Sequence, residues 1–174
     1  KSLESLSGNF SNNVDALKKL SPFLDVINKS SFSKYQRLLE LIKSDWKWNG
    51  KDSKDRILIF TGRRKTQRFL LENLSYDLGI KEESVLSIDG SMQDVQLNDV
   101  VEKFSKEKGE LRILIATEVA SEGINLHYLC HRLIHFDIPW SLMTLQQRNG
   151  RIDRYGQQQQ PKIRYLLTKS SNEG

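Results

Sequence analysis

Residues 57–88 read ILIFTGRRKTQRFLLENLSYDLGIKEESVLSI, and the architecture is legible there first. Ile57 to Phe60 is an unbroken apolar run too short for a buried helix, as in a strand covered on both faces. A Thr61–Gly62 turn ends it. From Arg64 to Leu78 the apolar Phe69, Leu70, Leu74 and Leu78 recur at helical spacing, and Gly79 is a helix stop. Val85 to Ile88 is a second short apolar run. Strand, helix and strand in this succession predict a parallel crossover unit.

The alternation continues downstream. Ser91 reads as the cap of a helix whose Asp94 reaches back to it, with Val95, Val100, Val101 and Phe104 inward as far as Gly109. Leu111 to Ala116 and Arg132 to Ile138 read as strands, Ser141 to Arg154 as a helix, and Lys162 to Thr168 as a last strand. The fold class is therefore α/β, a parallel sheet of about five to six strands with helices on both faces. Such sheets carry their functional loops at the carboxyl ends of the strands.

Upstream, residues 1–50 read as an N-terminal helical extension and residues 51–174 as the α/β domain. Ser21 and Pro22 open one helix, carrying Phe23, Leu24 and Ile27. Ser33 opens another, with Tyr35, Leu38, Leu39, Ile42 and Trp46 at helical spacing, which is expected to end near Asn49 and Gly50. Lys51 to Asp55 is a charged connector.

A length of 174 residues accommodates one domain with an extension, and 37% hydrophobic residues supply a core. Cys130 is the single cysteine, which rules out an internal disulfide and fits a reducing, cytoplasmic setting. No apolar run is long enough to cross a bilayer, and the polar start is no signal peptide. The chain begins without methionine and reads as a piece cut from a longer protein. A net charge of +5 with a pI near 9.3 favours a polyanionic partner, although so mild an excess also occurs without one.

The loops after the strands, Thr61 to Thr66, Asp89 to Met92, Thr117 to Asn125 and Pro139 onward, place glycine, hydroxyl and basic groups where a helix N-terminus can receive phosphate. In the last helix, a wheel at about 100° per residue sets Leu142, Leu145 and Ile152 on one side and Arg148, Arg151 and Arg154 on the other. Guanidinium forks so gathered suit phosphate. A solvated face paired with Asp153 and Asp137 explains the same pattern.

The ordered set ILIFT (57–61), DGS (89–91), IATEVASEGINL (115–126), HFDIPW (135–140) and QRNGRIDRYGQ (147–157) resembles the second RecA-like domain of a superfamily 2 helicase, over about residues 33–168. Its GINL and RYGQ endings are similar to the Swi/Snf-type branch of double-stranded DNA translocases, and EVASEG to the bacterial members. The resemblance implies ATP clamped between two RecA-like domains, with Arg151 and Arg154 as arginine fingers and Gln147 on the same interdomain surface. It implies Gly123 and Asn125 near the nucleotide, and Thr117 on the nucleic-acid backbone. Thr61, Arg63 and Ser91 match less specific backbone-contact regions and are equally well explained as turn and cap residues.

No Gly-x-x-x-x-Gly-Lys-Ser/Thr loop and no Asp-Glu pair after a strand occur in the chain, so the phosphate grip and the magnesium ligands are expected in an N-terminal RecA-like domain. The chain alone is expected to be inactive. A nucleic-acid-binding or adaptor module that lost the motor, or an RNA helicase domain, would carry the same fold. Other features compete with plainer readings. His127, His131 and His135 are regularly spaced, but the strand through Leu133 and Phe136 breaks a shared metal face. Trp46 and Trp48 either stack on bases or close a helix end. Trp140 is interfacial or packed. Arg63, Arg64, Lys65 and Arg68 follow a backbone or form a solvated helix start, and Gln157 to Gln160 read as a surface loop.

Overall fold

The structure, a computed structural model, describes residues 31–117 and 126–167. The helix expected from Ser21 and Pro22, Gly123, Asn125 and the end of the last predicted strand lie outside these residues. The chain forms two compact units, Lys1–Arg37 and Leu38–Gly174. In the first, the amide of Gln36 donates to Phe32 O at 3.0 Å as helix α1 (Ser33–Glu40) begins.

In the second unit, Leu41–Asp45 forms a single wide turn, closed by the amide of Trp46 donating to Leu41 O at 3.0 Å. The helix predicted to reach Asn49 stops here. Lys47 takes a left-handed φ of 49°, and the buried Trp48 donates its indole N–H to Asp55 O at 2.9 Å. Trp46 lies under the guanidinium of Arg132, 5.0 Å from the ring centre, and Arg132 grips Asp55 with bonds of 2.6 and 2.9 Å. Both tryptophans therefore close the helix end, and Trp48 is too buried to stack on a base.

Then follow β1 (Arg56–Phe60), α2 (Arg64–Leu78), β2 (Val85–Ile88), α3 (Asp94–Ser105), β3 (Ile113–Ala116), β4 (Cys130–His135), α4 (Leu142–Asn149) and β5 (Lys162–Tyr165). All five strands are parallel, in the order β2-β3-β1-β4-β5. The chain steps from β1 outward to β2, returns through β3, and passes β1 to reach β4 and β5. Right-handed crossovers in these opposed directions put α2 on one face and α3 and α4 on the other.

The side chains divide accordingly. Leu58, Phe60, Leu114, Ala116 and Leu133 form one core layer with Val100 and Phe104 of α3, Cys130 and Ile152. Ile57, Ile59, Ile113, Ile115 and Ile134 point to the other face and are equally buried, as are Leu70 and Leu74 of α2. Gln67 ties α2 to the strand ends, its amide donating to Ile88 O at 2.7 Å and Ile115 O at 3.1 Å. Arg56 reaches the open end of α3 and donates to the carbonyls of Lys103, Phe104 and Lys106, where a cation suits the helix dipole. Burial pulls its pKa down to about 10.

Several boundaries differ from expectation. Helix α2 runs from Arg64 to Leu78 and stops at Gly79 with φ 69° as expected, but Phe69 and Leu78 are only half-buried. Ser91 does not cap α3. Its amide and hydroxyl both donate to Asp89, so the cap passes to Gln93, whose side chain pairs reciprocally with Gln96. The helix then rotates so that Val95 is 78% exposed. Strand β4 starts and ends earlier than expected.

The largest difference is α4. Ser141 caps it, but it ends at Asn149 with Gly150 as C-cap, and Arg151 to Arg154 lie in tighter turns. The helical wheel therefore has no meaning beyond Asn149, and within α4 its two faces are exchanged. Leu142 is 76% exposed, whereas Arg148, assigned to the outer face, is 1% exposed.

Candidate functional site

The carboxyl edge of the sheet is organised around Asp137, which follows β4. Thr61, which follows the adjacent β1, donates its hydroxyl to Asp137 Oδ2 at 2.7 Å, and the amide of Gly62 donates to both carboxylate oxygens at 2.8 and 2.9 Å. A Cβ on Gly62 would lie 3.4 Å from Asp137 Oδ1, an ordinary contact, so the amide's two bonds and not the lack of a side chain fix this approach. Arg148 donates from Nη1 to Asp137 O at 3.1 Å while its guanidinium covers the ring of Phe60, 5.1 Å from the centre. Above Asp137 opens a cavity of about 380 Å³, whose walls include Arg63, Pro139, Trp140 and Ser141. Arg63 and Trp140 are exposed at its mouth.

Thr61 is thus buried with its hydroxyl committed to Asp137, and Ser91 is exposed with its hydroxyl committed to Asp89. That bond, then the Ser91 amide and the more distant Arg64, hold the Asp89 carboxyl below the usual carboxylate range. Thr117 is buried directly after β3, its amide donating to Ile88 O at 3.2 Å. Within the basic cluster, Arg68 pairs with Glu72 at 2.8 Å and Arg64 approaches Asp89 at 3.4 Å.

The arginine-bearing turn leaves α4 at Asn149. The main-chain carbonyl of Asn149 accepts from the amides of Ile152 at 3.1 Å and Asp153 at 2.9 Å. Ile152 is fully buried in the core, while Arg151 beside it is half-buried and Arg154 exposed. Gln157 fastens the far side, donating from Nε2 to Ile152 O and to Cys130 O, both at 3.0 Å. It is an inward tie, whereas Gln158 to Gln160 are exposed as a surface loop should be. Gly156 has φ 93°, and a Cβ there would lie 3.5 Å from His127 Nε2. Gln147 is exposed on α4. The structure therefore groups Gln147, Arg151 and Arg154 on one short segment, and Thr61 and Arg63 on another beside Asp137.

Two contributors were not singled out by sequence reasoning. Asp137 figured only as a partner for arginine, and Asn149 not at all. Their signal is positional: both lie beside the ends of neighbouring strands, and only the strand order reveals that adjacency. The regularly spaced histidines have separate surroundings. His135 meets Tyr165 and Asn149, His131 lies 3.7 Å from Asp55, and His127 lies against Tyr128.

A parallel sheet switching direction beside its central strand, with its loops at the carboxyl edge, is a doubly wound α/β domain of the class that includes the RecA-like fold. The chain belongs to the helicase family described as "Helicase conserved C-terminal domain", whose profile matches residues 33–156. It is 34% identical over 155 residues to "Uncharacterized ATP-dependent helicase YqhH" of Bacillus subtilis (strain 168), covering 88% of this chain and 25% of that protein. It is 29% identical over 119 residues to "RNA polymerase-associated protein RapA" of Vibrio campbellii, covering 68% of this chain and 12% of that one. The chain thus spans a quarter or less of these relatives. Among solved structures, the C-terminal part of the Fun30 ATPase domain shares its fold at TM-score 0.61 and 24% identity, over 90% of this chain and 50% of that one. Domain 2 of the DEAD-box helicase Mss116p does so at TM-score 0.62 and 24% identity, over 77% and 50%.

Whether these residues fit ATP and magnesium is a question of donors. The turn at Arg151 and Arg154 carries two guanidinium groups on a backbone tied to the core, and guanidinium forks in general suit phosphate oxygens. Among the described residues no three His, Cys, Asp or Glu side chains converge as metal ligands.

Proposed function

We propose that this chain is the second motor domain of an ATP-dependent double-stranded DNA translocase, whose Arg151 and Arg154 complete the site of ATP bound by an N-terminal RecA-like domain. The observation that carries this reading is the pinned turn. Ile152 is sunk in the core between the two arginines and Gln157 ties its carbonyl, so the guanidinium groups are held by a backbone that need not reorganise during reaction. The same reading gives Gln147 a place on the interdomain surface, with magnesium held by the N-terminal domain.

ATP supplies the phosphoryl chemistry; this chain's arginines stabilise negative charge developing on its terminal phosphate. Such arginines contribute about 10³ to 10⁵ in rate, or about 4 to 7 kcal/mol. The nucleic-acid side is assigned to Arg63, exposed beside the Asp137 cavity, and to Thr117, with Thr61 and Ser91 shaping the loops that present them. The relationship to YqhH, named an ATP-dependent helicase, and to RapA, named for RNA polymerase, supports a DNA-tracking motor.

In the complete protein, Arg151→Ala and Arg154→Ala are expected to cut DNA-stimulated ATP turnover by orders of magnitude while ATP affinity changes little. Lysine should rescue poorly because it lacks the planar fork. The isolated chain should show negligible ATPase activity. Near-normal turnover in both alanine variants would remove the arginines from catalysis, and preferential stimulation by RNA would move the substrate to that polymer.

A further inference from the structure

Phe60, His135 and Tyr165 occupy equivalent register positions at the ends of β1, β4 and β5, so their side chains share one face. They stack. His135 lies parallel to Tyr165 with ring centres 4.9 Å apart and an interplanar angle of 6°, and it faces Phe60 at 6.1 Å. Arg148 continues the column over Phe60. The column runs from the buried Phe60 and His135 out to the exposed Tyr165; His135 Nε2 lies 2.8 Å from Asn149 Oδ1, and Asn149 Nδ2 donates to the Tyr165 hydroxyl at 3.4 Å.

A neutral imidazole donates to a carbonyl oxygen only through N–H, so with Asn149 Oδ1 facing His135 the ring proton is assigned to Nε2. His135 Nδ1, equally buried, makes no hydrogen bond. The Asn149 side chain is thereby fixed at both ends of its amide. The main-chain carbonyl of the same residue accepts the amides of Ile152 and Asp153, which begin the turn carrying the arginines.

We infer that His135, Asn149 and Tyr165 form a positioning clamp that sets the direction in which the Arg151–Arg154 turn leaves α4. This inference rests on the arginine reading above and deepens it: the strand ends, and not α4 itself, hold the arginines in register with the nucleotide. All three are positioning residues: His135 and Tyr165 hold the side chain of Asn149, the last helical residue, and none of them touches the phosphate. Asn149 is an uncharged member of the 147–157 motif, and its importance follows from where β4 and β5 bring their final rings.

The test uses the complete protein and separates turnover from binding and stability. Asn149→Ala should lower kcat for DNA-stimulated ATP hydrolysis by about 10- to 100-fold, the scale of a displaced catalytic group. Its KM for ATP should stay within about twofold, because binding energy from the other domain is unaffected. Asn149→Asp should restore most of kcat, since a carboxylate still accepts from His135 Nε2 and can accept from the Tyr165 hydroxyl. Tyr165→Phe should cost less, keeping the stack and losing one bond.

In protein labelled with ¹⁵N-histidine, the His135 spectrum should show a proton on Nε2 protected from exchange in the parent and exchanging faster in Asn149→Ala. Undiminished kcat in Asn149→Ala while Arg151→Ala is inactive would overturn the clamp and leave the arginine reading intact. Failure of Asn149→Asp to improve on Asn149→Ala, or a proton on Nδ1, would also overturn it. Full turnover in Arg151→Ala would overturn the arginine reading and the clamp's catalytic purpose together, with the Nε2 proton still reporting whether the clamp exists.

Discussion

Two arginines six positions apart, Arg148 and Arg154, show how little a side chain's type says about its work. Arg148 is enclosed, stacked on Phe60 and bonded to the Asp137 backbone. Arg154 is exposed. Arg148→Ala should destabilise the fold by about 2 to 4 kcal/mol, from lost packing and an orphaned carbonyl. Arg154→Ala should change it by about 0.5 kcal/mol or less. Paired thermal melts check the contrast, and equal melts would deny Arg148 its structural role.

The buried histidines make stability depend on pH. Burial is the main cause that lowers the His135 pKa to about 4 from an ordinary value of 6.5, with Arg148 adding to it and Asn149 opposing it. Burial also lowers that of His131. The unfolded chain then binds the extra protons, so the neutral form's contribution is complete above pH 6.5 and is lost as pH falls toward 4. For His135 the loss is about 3 kcal/mol over that interval. Denaturant midpoints between pH 7 and 4.5 should fall less steeply in His135→Leu than in the parent; parallel curves would refute the assignment.

Among the elements, β1, α2 and β2 were legible because each signal was local and uncontested: an apolar run, a helical stripe, a glycine stop. Helix α4 was not. Its apolar positions Leu142, Leu145 and Ile152 keep helical spacing across Gly150, so periodicity carries the helix past its real end. The decision belongs to Ile152, which reaches the core only if the chain tightens, and to Gln157, whose bonds form across sequence distances that a wheel ignores. Likewise Ser91 is a good cap residue outcompeted by its neighbour Asp89. Gln157→Ala, which orphans the Cys130 and Ile152 carbonyls, should cost about 2 kcal/mol. Gln157→Glu should do no better, because it presents oxygen to oxygen. Chemical denaturation of both variants tests this, and a Gln157→Glu protein as stable as the parent would contradict it.

For the whole molecule, the sheet class followed from alternation alone, and with it the one edge at which parallel strands open their loops. The strand order did not, and with it went the meetings that shape the site: Thr61 with Asp137, and His135 with Tyr165. These pairs join residues far apart in sequence through strands that are neighbours only after folding. The family was more legible than the geometry, because the basic motif around Arg151 is contiguous while its supports are scattered.

The lone thiol of the chain sits where β1 meets β4, its Sγ 3.5 Å from Arg56 O and within the core layer, and burial raises its pKa to about 12. Thiolate chemistry at Cys130 therefore waits for the two strands to part. That makes the residue a built-in clock: under conditions where reclosing outpaces modification, the rate of reaction with a disulfide reagent reads the free energy of sheet opening, without any added probe. It should accelerate in Arg148→Ala in step with the loss of stability. Rapid labelling of the parent at neutral pH, unchanged by denaturant, would mean that the centre of the sheet opens without unfolding the rest.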